Sequence, residues 1–76
     1  MKTKVLFFGY LTERLGCSEL VVEAGTLAGL QQELEGQFPV LAGMPCLYAV
    51  NQEVVRGDVE LKEGDEVALM PPFAGG

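Results

Sequence analysis

The group in this chain best placed to do chemistry is a main-chain carboxylate, the one that follows Gly75 and Gly76 at the end of Pro71-Pro72-Phe73-Ala74-Gly75-Gly76. Two residues without side chains let another protein's backbone, or a nucleotide phosphate, come close to that carboxylate, where larger residues would block a narrow channel. Resonance and negative charge make a carboxylate a poor electrophile, so it has to be activated. ATP can do this by transferring AMP, which turns the Gly76 carboxylate into an acyl-adenylate with a good leaving group. A sulfur donor that displaces AMP leaves a thiocarboxylate, largely ionised and nucleophilic near neutral pH. Delivered inside a partner's pocket, that sulfur is a positioned reagent and gains effective concentration over free sulfide. The bland alternative is a frayed, glycine-rich chain end. The residues just before it argue otherwise: Pro71 and Pro72 cannot continue a strand's hydrogen-bond ladder and favour a stiff extended chain. Phe73 on such an arm is a candidate anchor for a partner's pocket.

The remaining side chains offer little chemistry. Histidine is absent, and Cys17 and Cys46 lie far apart with no C-x-x-C spacing that would suggest zinc or dithiol exchange. They read as ordinary buried thiols; the alternative, a reactive thiol, lacks a basic neighbour to lower its pKa. No metal site and no bound cofactor are expected. ATP belongs to an activating enzyme, and acid, base or metal catalysis must come from a partner.

Eleven acids against five bases leave a net charge of −6, which disfavours nucleic acid and anionic membrane surfaces as partners and suits either a basic protein partner or a surface simply kept soluble by excess charge. Apolar residues are 49% of the 76, enough for a compact globule but only for one core. The start, Met1-Lys2-Thr3-Lys4 before Val5 to Leu11, imitates a signal peptide. Its apolar run is short, passes straight into Thr12-Glu13-Arg14 and has no small-residue cleavage site, so a buried strand is the better reading. With no run near the ~20 apolar residues that span a bilayer, the expected location is cytoplasmic, with both cysteines reduced.

The chemistry needs a scaffold, and the pattern supplies one. Lys4 to Tyr10 reads as a strand buried on at least one face, Leu11 to Leu15 as a helical turn ended by Gly16, and Ser18 to Glu23 as a strand with Leu20 and Val22 on one face. The two strands are close enough in sequence to form a hairpin. Thr26 is a candidate N-cap for a helix carrying Leu27, Leu30, Leu34 and Phe38, weakened at Gly36 and stopped by Pro39. A loop from Val40 to Pro45 leads to a strand at Leu47 to Val50, a turn at Asn51-Gln52 and a short strand at Glu53 to Val55. The pattern breaks at Arg56-Gly57-Asp58, turns at Lys62 to Asp65 and ends in a strand over Glu66 to Met70. This order supports an α+β class, with residues 1–70 as the globular domain and 71–76 as a projecting tail.

Gly64-Asp65-Glu66-Val67 before the last strand, Pro71-Pro72 after it and the ending Ala74-Gly75-Gly76 together resemble the small subunit of molybdopterin synthase, the MoaD family of ubiquitin-like sulfur carrier proteins. Ala49-Val50-Asn51-Gln52 and Val5-Leu6-Phe7-Phe8-Gly9 are similar to that family's central strand and first strand. The resemblance implies a ubiquitin-like β-grasp fold, a mixed sheet packed on one main helix. It implies a heterotetramer in which a small subunit docks on each of two joined large subunits, and an adenylating enzyme of the ubiquitin-activating type that loads the tail. It further implies that Gly76 carries the thiocarboxylate, that Gly75 and Ala74 thread the channel, and that sulfur goes to cyclic pyranopterin monophosphate. Pro71, Pro72 and Phe73 would meet the partner, although valine is frequent in the family where Phe73 stands. Competing readings are a sulfur carrier for thiamin synthesis or tRNA thiolation, which Pro71-Pro72 disfavours, a ubiquitin-like modifier joined to lysines through Gly76, and a binding module without tail chemistry.

Overall fold

A computed structural model describes residues 2–71. Along the chain these form β1 (Lys2–Phe7), α1 (Tyr10–Leu15), β2 (Glu19–Glu23), α2 (Leu27–Gln37), a 3-10 helix (Pro39–Gly43), β3 (Leu47–Val50), β4 (Glu53–Val55) and β5 (Glu66–Met70). The strands make one mixed sheet in the order β2-β1-β5-β3-β4. Its centre is a parallel pair, with Val5 opposite Val67 and Phe7 opposite Leu69, and every other pairing is antiparallel. This is the α+β, ubiquitin-like β-grasp arrangement.

Strand alternation sends Val5, Phe7, Val22, Val67 and Leu69 to one face, where they pack with Leu27, Leu30 and Leu34 of α2 and with Leu11, Leu41 and Leu61. Each fully buried leucine is worth roughly 1.5–3 kcal/mol against exposure. Phe7 also meets Phe38 edge to face, ring centroids 6.1 Å apart.

The start of α2 is closed by three different acceptors. Thr26, in extended backbone, accepts from the Gly29 N–H through its hydroxyl; Asp58 Oδ1 accepts from Ala28 at 2.8 Å; the Val59 carbonyl accepts from Leu27 at 2.9 Å. A helix begins with four N–H groups that lack intrahelical partners, and here three of them are met by side chains or by a strap from a later part of the chain. The strap is fastened on its other side by the Leu61 N–H to the Gly25 carbonyl, and it plugs the core with Leu61.

At the same end of the sheet, Asn51 and Gln52 turn β3 into β4 with φ of 50° and 72°, the left-handed values a two-residue hairpin requires. Asn51 accepts from the Glu66 N–H and donates its amide to Asp65 Oδ1 at 2.9 Å, while Asp65 Oδ2 accepts from the Lys62 N–H at 2.8 Å. These bonds, the Asn51 amide first, hold the Asp65 carboxyl below its ordinary range.

Three local expectations are corrected. The first strand begins and ends earlier than Lys4 to Tyr10, because Gly9, at φ 64° and ψ −144°, turns the chain into α1. The expected pairing of the first two strands is present, antiparallel and joined through α1. Phe38 follows α2 as its cap instead of lying in it, as the extended backbone preferred before Pro39 requires. The span from Val40 to Pro45, read as loop, belongs largely to a 3-10 helix that buries Leu41.

Thr3 is 0% exposed, faces the core opposite Val22, and its hydroxyl has no hydrogen-bond partner among the described residues. An unsatisfied buried hydroxyl costs about 1–3 kcal/mol. Thr3→Val should therefore raise stability by about 1 kcal/mol, read as a rise in melting temperature of roughly 4–8 °C; Thr3→Ser, which keeps the hydroxyl and loses the methyl, should lower it. Asp65 supplies a pH-dependent prediction. Its folded pKa is depressed, so its contribution is complete above the unfolded value of about 3.9 and is lost as pH falls through the lower folded value. Denaturation of wild type and Asp65→Asn between pH 7 and pH 2 should show a stability gap that is constant at the upper end and closes in acid.

Candidate functional site

Parallel pairing of β1 and β5 brings the end of β5 beside the turn that follows β1. The Phe8 N–H continues the ladder to the Leu69 carbonyl at 3.0 Å, and Pro71 then lies against Gly9. Pro71 is half-buried there. The residue expected to begin a projecting arm is thus seated on the globule, and any projection starts after it. Pro72, Phe73, Ala74, Gly75 and Gly76, the other predicted site residues, lie outside the described residues.

Around this root the surface is apolar. Phe8 is 47% exposed and Tyr10 46%, on either side of Gly9. The face of the sheet turned away from α2 carries Leu6, Ala68, Ala49 and Val54 in register across β1, β5, β3 and β4, with Met70 opposite Leu47. Ala49 is 4% exposed yet stands outside the core cluster, since it is small and enclosed by its neighbours on this outer face; Val54 is 54% exposed. A sheet with apolar residues on both faces needs a cover on both. The sequence reading missed this surface. The signal was present in Val5-Leu6-Phe7-Phe8 and Val67-Ala68-Leu69-Met70, unbroken apolar runs where a one-sided strand would alternate with polar residues.

The cysteines, expected to be buried, are both half-buried free thiols. Each sits just before a strand at the tail end of the sheet, Cys17 before β2 and Cys46 before β3. Two strands intervene, so they stand three strand spacings or about 14 Å apart, beyond the reach of a disulfide. Burial raises the pKa of the Cys46 thiol, which keeps it protonated and weakly nucleophilic near neutral pH. Tyr48 beside it is pushed up to about 12, by burial first and then by the charges of Cys46 and Glu35. A shallow hollow of about 290 Å³, lined by Ala28, Gln31, Gly57 and Asp58, lies by the start of α2, at the far end of the sheet from Pro71. Its one carboxylate is already bonded to Ala28.

The model of the ThiS family matches residues 5–76. The chain belongs to the ThiS family. This ThiS-family chain is 41% identical to the molybdopterin synthase sulfur carrier subunit of Chlamydomonas reinhardtii, over 100% of both proteins. Its identity to the Escherichia coli molybdopterin synthase sulfur carrier subunit is 38%, over 96% of the chain and 98% of that protein. Among solved structures it is similar to a chain in the protein–protein complex of subunits 1 and 2 of the molybdopterin-converting factor from Helicobacter pylori, with a TM-score of 0.72, 31% identity and 100% coverage of both chains. The resemblance drawn from the sequence motifs is therefore to the right relatives. Among the described residues no helix is long and apolar enough to cross a membrane.

If sulfur is carried on a carboxyl carbon, the thiols are dispensable. Replacing both cysteines, as Cys17→Ala with Cys46→Ala, should cost about 1 kcal/mol or less of stability per site and leave sulfur transfer by the folded protein near the wild-type rate. Complete loss in a folded double variant would point to a persulfide on cysteine instead.

Proposed function

We propose that this chain is the sulfur carrier subunit of a molybdopterin synthase and that it works through its C-terminal carboxylate. The observation that carries the reading is the likeness to sulfur carrier subunits over the full length of the chain, Gly75-Gly76 included. An adenylating enzyme transfers AMP from ATP to the Gly76 carboxylate and releases pyrophosphate. A sulfur donor attacks the acyl carbon, AMP leaves, and Gly76 holds a thiocarboxylate. In the large subunit that sulfur attacks a carbon of cyclic pyranopterin monophosphate, a carbon–oxygen bond there breaks as the carbon–sulfur bond forms, and water then cleaves the acyl–sulfur bond, restoring the carboxylate and leaving the sulfur on the substrate.

The parts of this chain divide the work simply. Residues 1–70 are the handle and residues 71–76 the arm. Ala74 and Gly75 pass through the channel, while Pro71, Pro72 and Phe73 meet its mouth. The uncovered face of Leu6, Ala68, Met70 and Leu47, continuous with Phe8, supports docking on a large subunit. A heterotetramer follows if two large subunits pair and each takes one carrier. Catalysis belongs to the partners, since the carrier brings a reagent and no acid, base or metal. The chain holds no cofactor of its own in this scheme, and its setting is the cytoplasm.

Incubated with its adenylating enzyme, ATP and a sulfur donor, the protein should gain the mass of one oxygen-to-sulfur exchange, located at Gly76 by fragmentation. Omitting ATP, or deleting Gly75-Gly76, should abolish the gain, and the deletion should leave thermal unfolding almost unchanged. A mass change elsewhere, or one independent of ATP, defeats the mechanism. A ladder of isopeptide conjugates in cells, with no thiocarboxylate, would favour a protein modifier.

A further inference from the structure

We propose that Gly9 is a positioning residue for the tail, a seat without a side chain on which the Pro71 ring rests and which sets the direction in which the chain leaves the sheet. The inference rests on the reading of residues 71–76 as a delivering arm. Gly9 adopts φ 64° and ψ −144°, a backbone conformation reached almost only by glycine. A Cβ placed there would stand 2.9 Å from Pro71 Cγ and 3.2 Å from Cδ. The ring cannot swing aside as the end of a long side chain could, because it is closed onto its own backbone nitrogen. Displacing it moves the main chain of residue 71, and any change of direction at that point is carried along the five residues that follow.

The seat is held from several sides. The Phe8 N–H bonds to Leu69 and so ties the turn to β5; the Leu11 and Thr12 N–H groups return to the Phe8 and Gly9 carbonyls; the Thr12 hydroxyl donates to the Phe7 carbonyl at 3.0 Å. Leu11 is fully buried beneath it. Pro71 itself has φ fixed by its ring and no N–H to draw it into the sheet. A rigid seat and a rigid first residue together define an exit direction, where a flexible join would leave the reactive end to search for the channel. Misplacement by about 1 Å can cost on the order of 100-fold in rate.

A double-mutant cycle of Gly9→Ala and Pro71→Ala tests this in the full chain, with two readouts. The first is thermal unfolding, which reads the contact whether or not the chain carries sulfur. Gly9→Ala should lower the melting temperature more when residue 71 is proline than when it is alanine. The second is sulfur delivery to the partner's substrate by protein already loaded at Gly76. Each single variant should lose about 10- to 100-fold in kcat/KM, and the double variant should be no slower than the slower single one, since the ring that clashes is gone. If Gly9→Ala alone fails to fold while the double variant folds, the contact is equally supported, and delivery is then compared between Pro71→Ala and wild type. Independent melting effects, multiplying losses in delivery, or wild-type delivery by Pro71→Ala each overturn the proposal. Absence of a thiocarboxylate on wild-type protein would instead overturn the function proposed above, and the melting cycle would still report on the seat.

Discussion

The parallel pairing of β1 with β5 is the constraint on which the rest of this structure depends. It joins the first strand to the last, so everything between them has to be arranged around that central pair. The strands between supply the two flanks, and α2 supplies the cover. The pair is also the best buried part of the sheet, with Val5, Phe7, Val67 and Leu69 all enclosed on the helix side. Because the strands run in the same direction, the exit of β5 lies beside the exit of β1. The residue after β5 therefore meets the turn after β1, and a tail attached there starts from the best-buried pair of strands.

Polar interactions are concentrated at the opposite end. The strap of Asp58, Val59 and Leu61 on the start of α2, and the Asn51–Asp65 cluster joining two turns, close that end with hydrogen bonds to main-chain groups that would otherwise be unmet. The tail end has exposed aromatic rings, half-buried thiols and a proline on a glycine. This separation has a physical sense for a carrier. Bonds that stabilise the fold are kept away from the apolar surface around Pro71 that is free to meet a partner.

Much of the architecture was legible in the sequence because its signals were local. Thr26 before a leucine stripe, Gly16 after a short helical turn, Pro39 after Phe38 and the apolar run from Val67 to Met70 each report a structure decided within a few residues. The misreadings are long-range. Nothing near Val40 to Pro45 announces that Leu41 will be drawn into the core, and nothing near Asp58 announces that its carboxylate will cap a helix thirty residues earlier. The seat at Gly9 is of the same kind, since its partner is sixty-two positions away along the chain. Of the candidate site, the tail drew a chemical reading because glycine, proline and a carboxylate have distinctive covalent properties, and apart from Pro71 its residues lie outside the described ones. The apolar outer face was not, because the strands that form it were read singly, and a run such as Val5 to Phe8 does not say which of its sides the protein covers itself.

That outer face also carries a directional pattern. At the start of β1 it bears Lys2 opposite Glu23 and Lys4 beside Glu66, with Lys4 and Glu19 paired at 3.8 Å across the strands; toward the tail it becomes Leu6, Ala68, Met70, Leu47 and Phe8. An exposed pair of that kind contributes at most about 1 kcal/mol to stability, so its value to the fold is small. Its value to recognition is greater, because an apolar patch alone fixes no rotation about its own normal, and charges gathered at one end do. A partner with a matching gradient, apolar over Met70 and Phe8 and polar over Lys2 and Glu23, can settle in one orientation, and that orientation aims the exit at Pro71 toward a single point of the partner. On the function proposed above, docking face and seat act in series: the first orients the globule on its partner, and the second sets the direction in which the chain leaves Pro71.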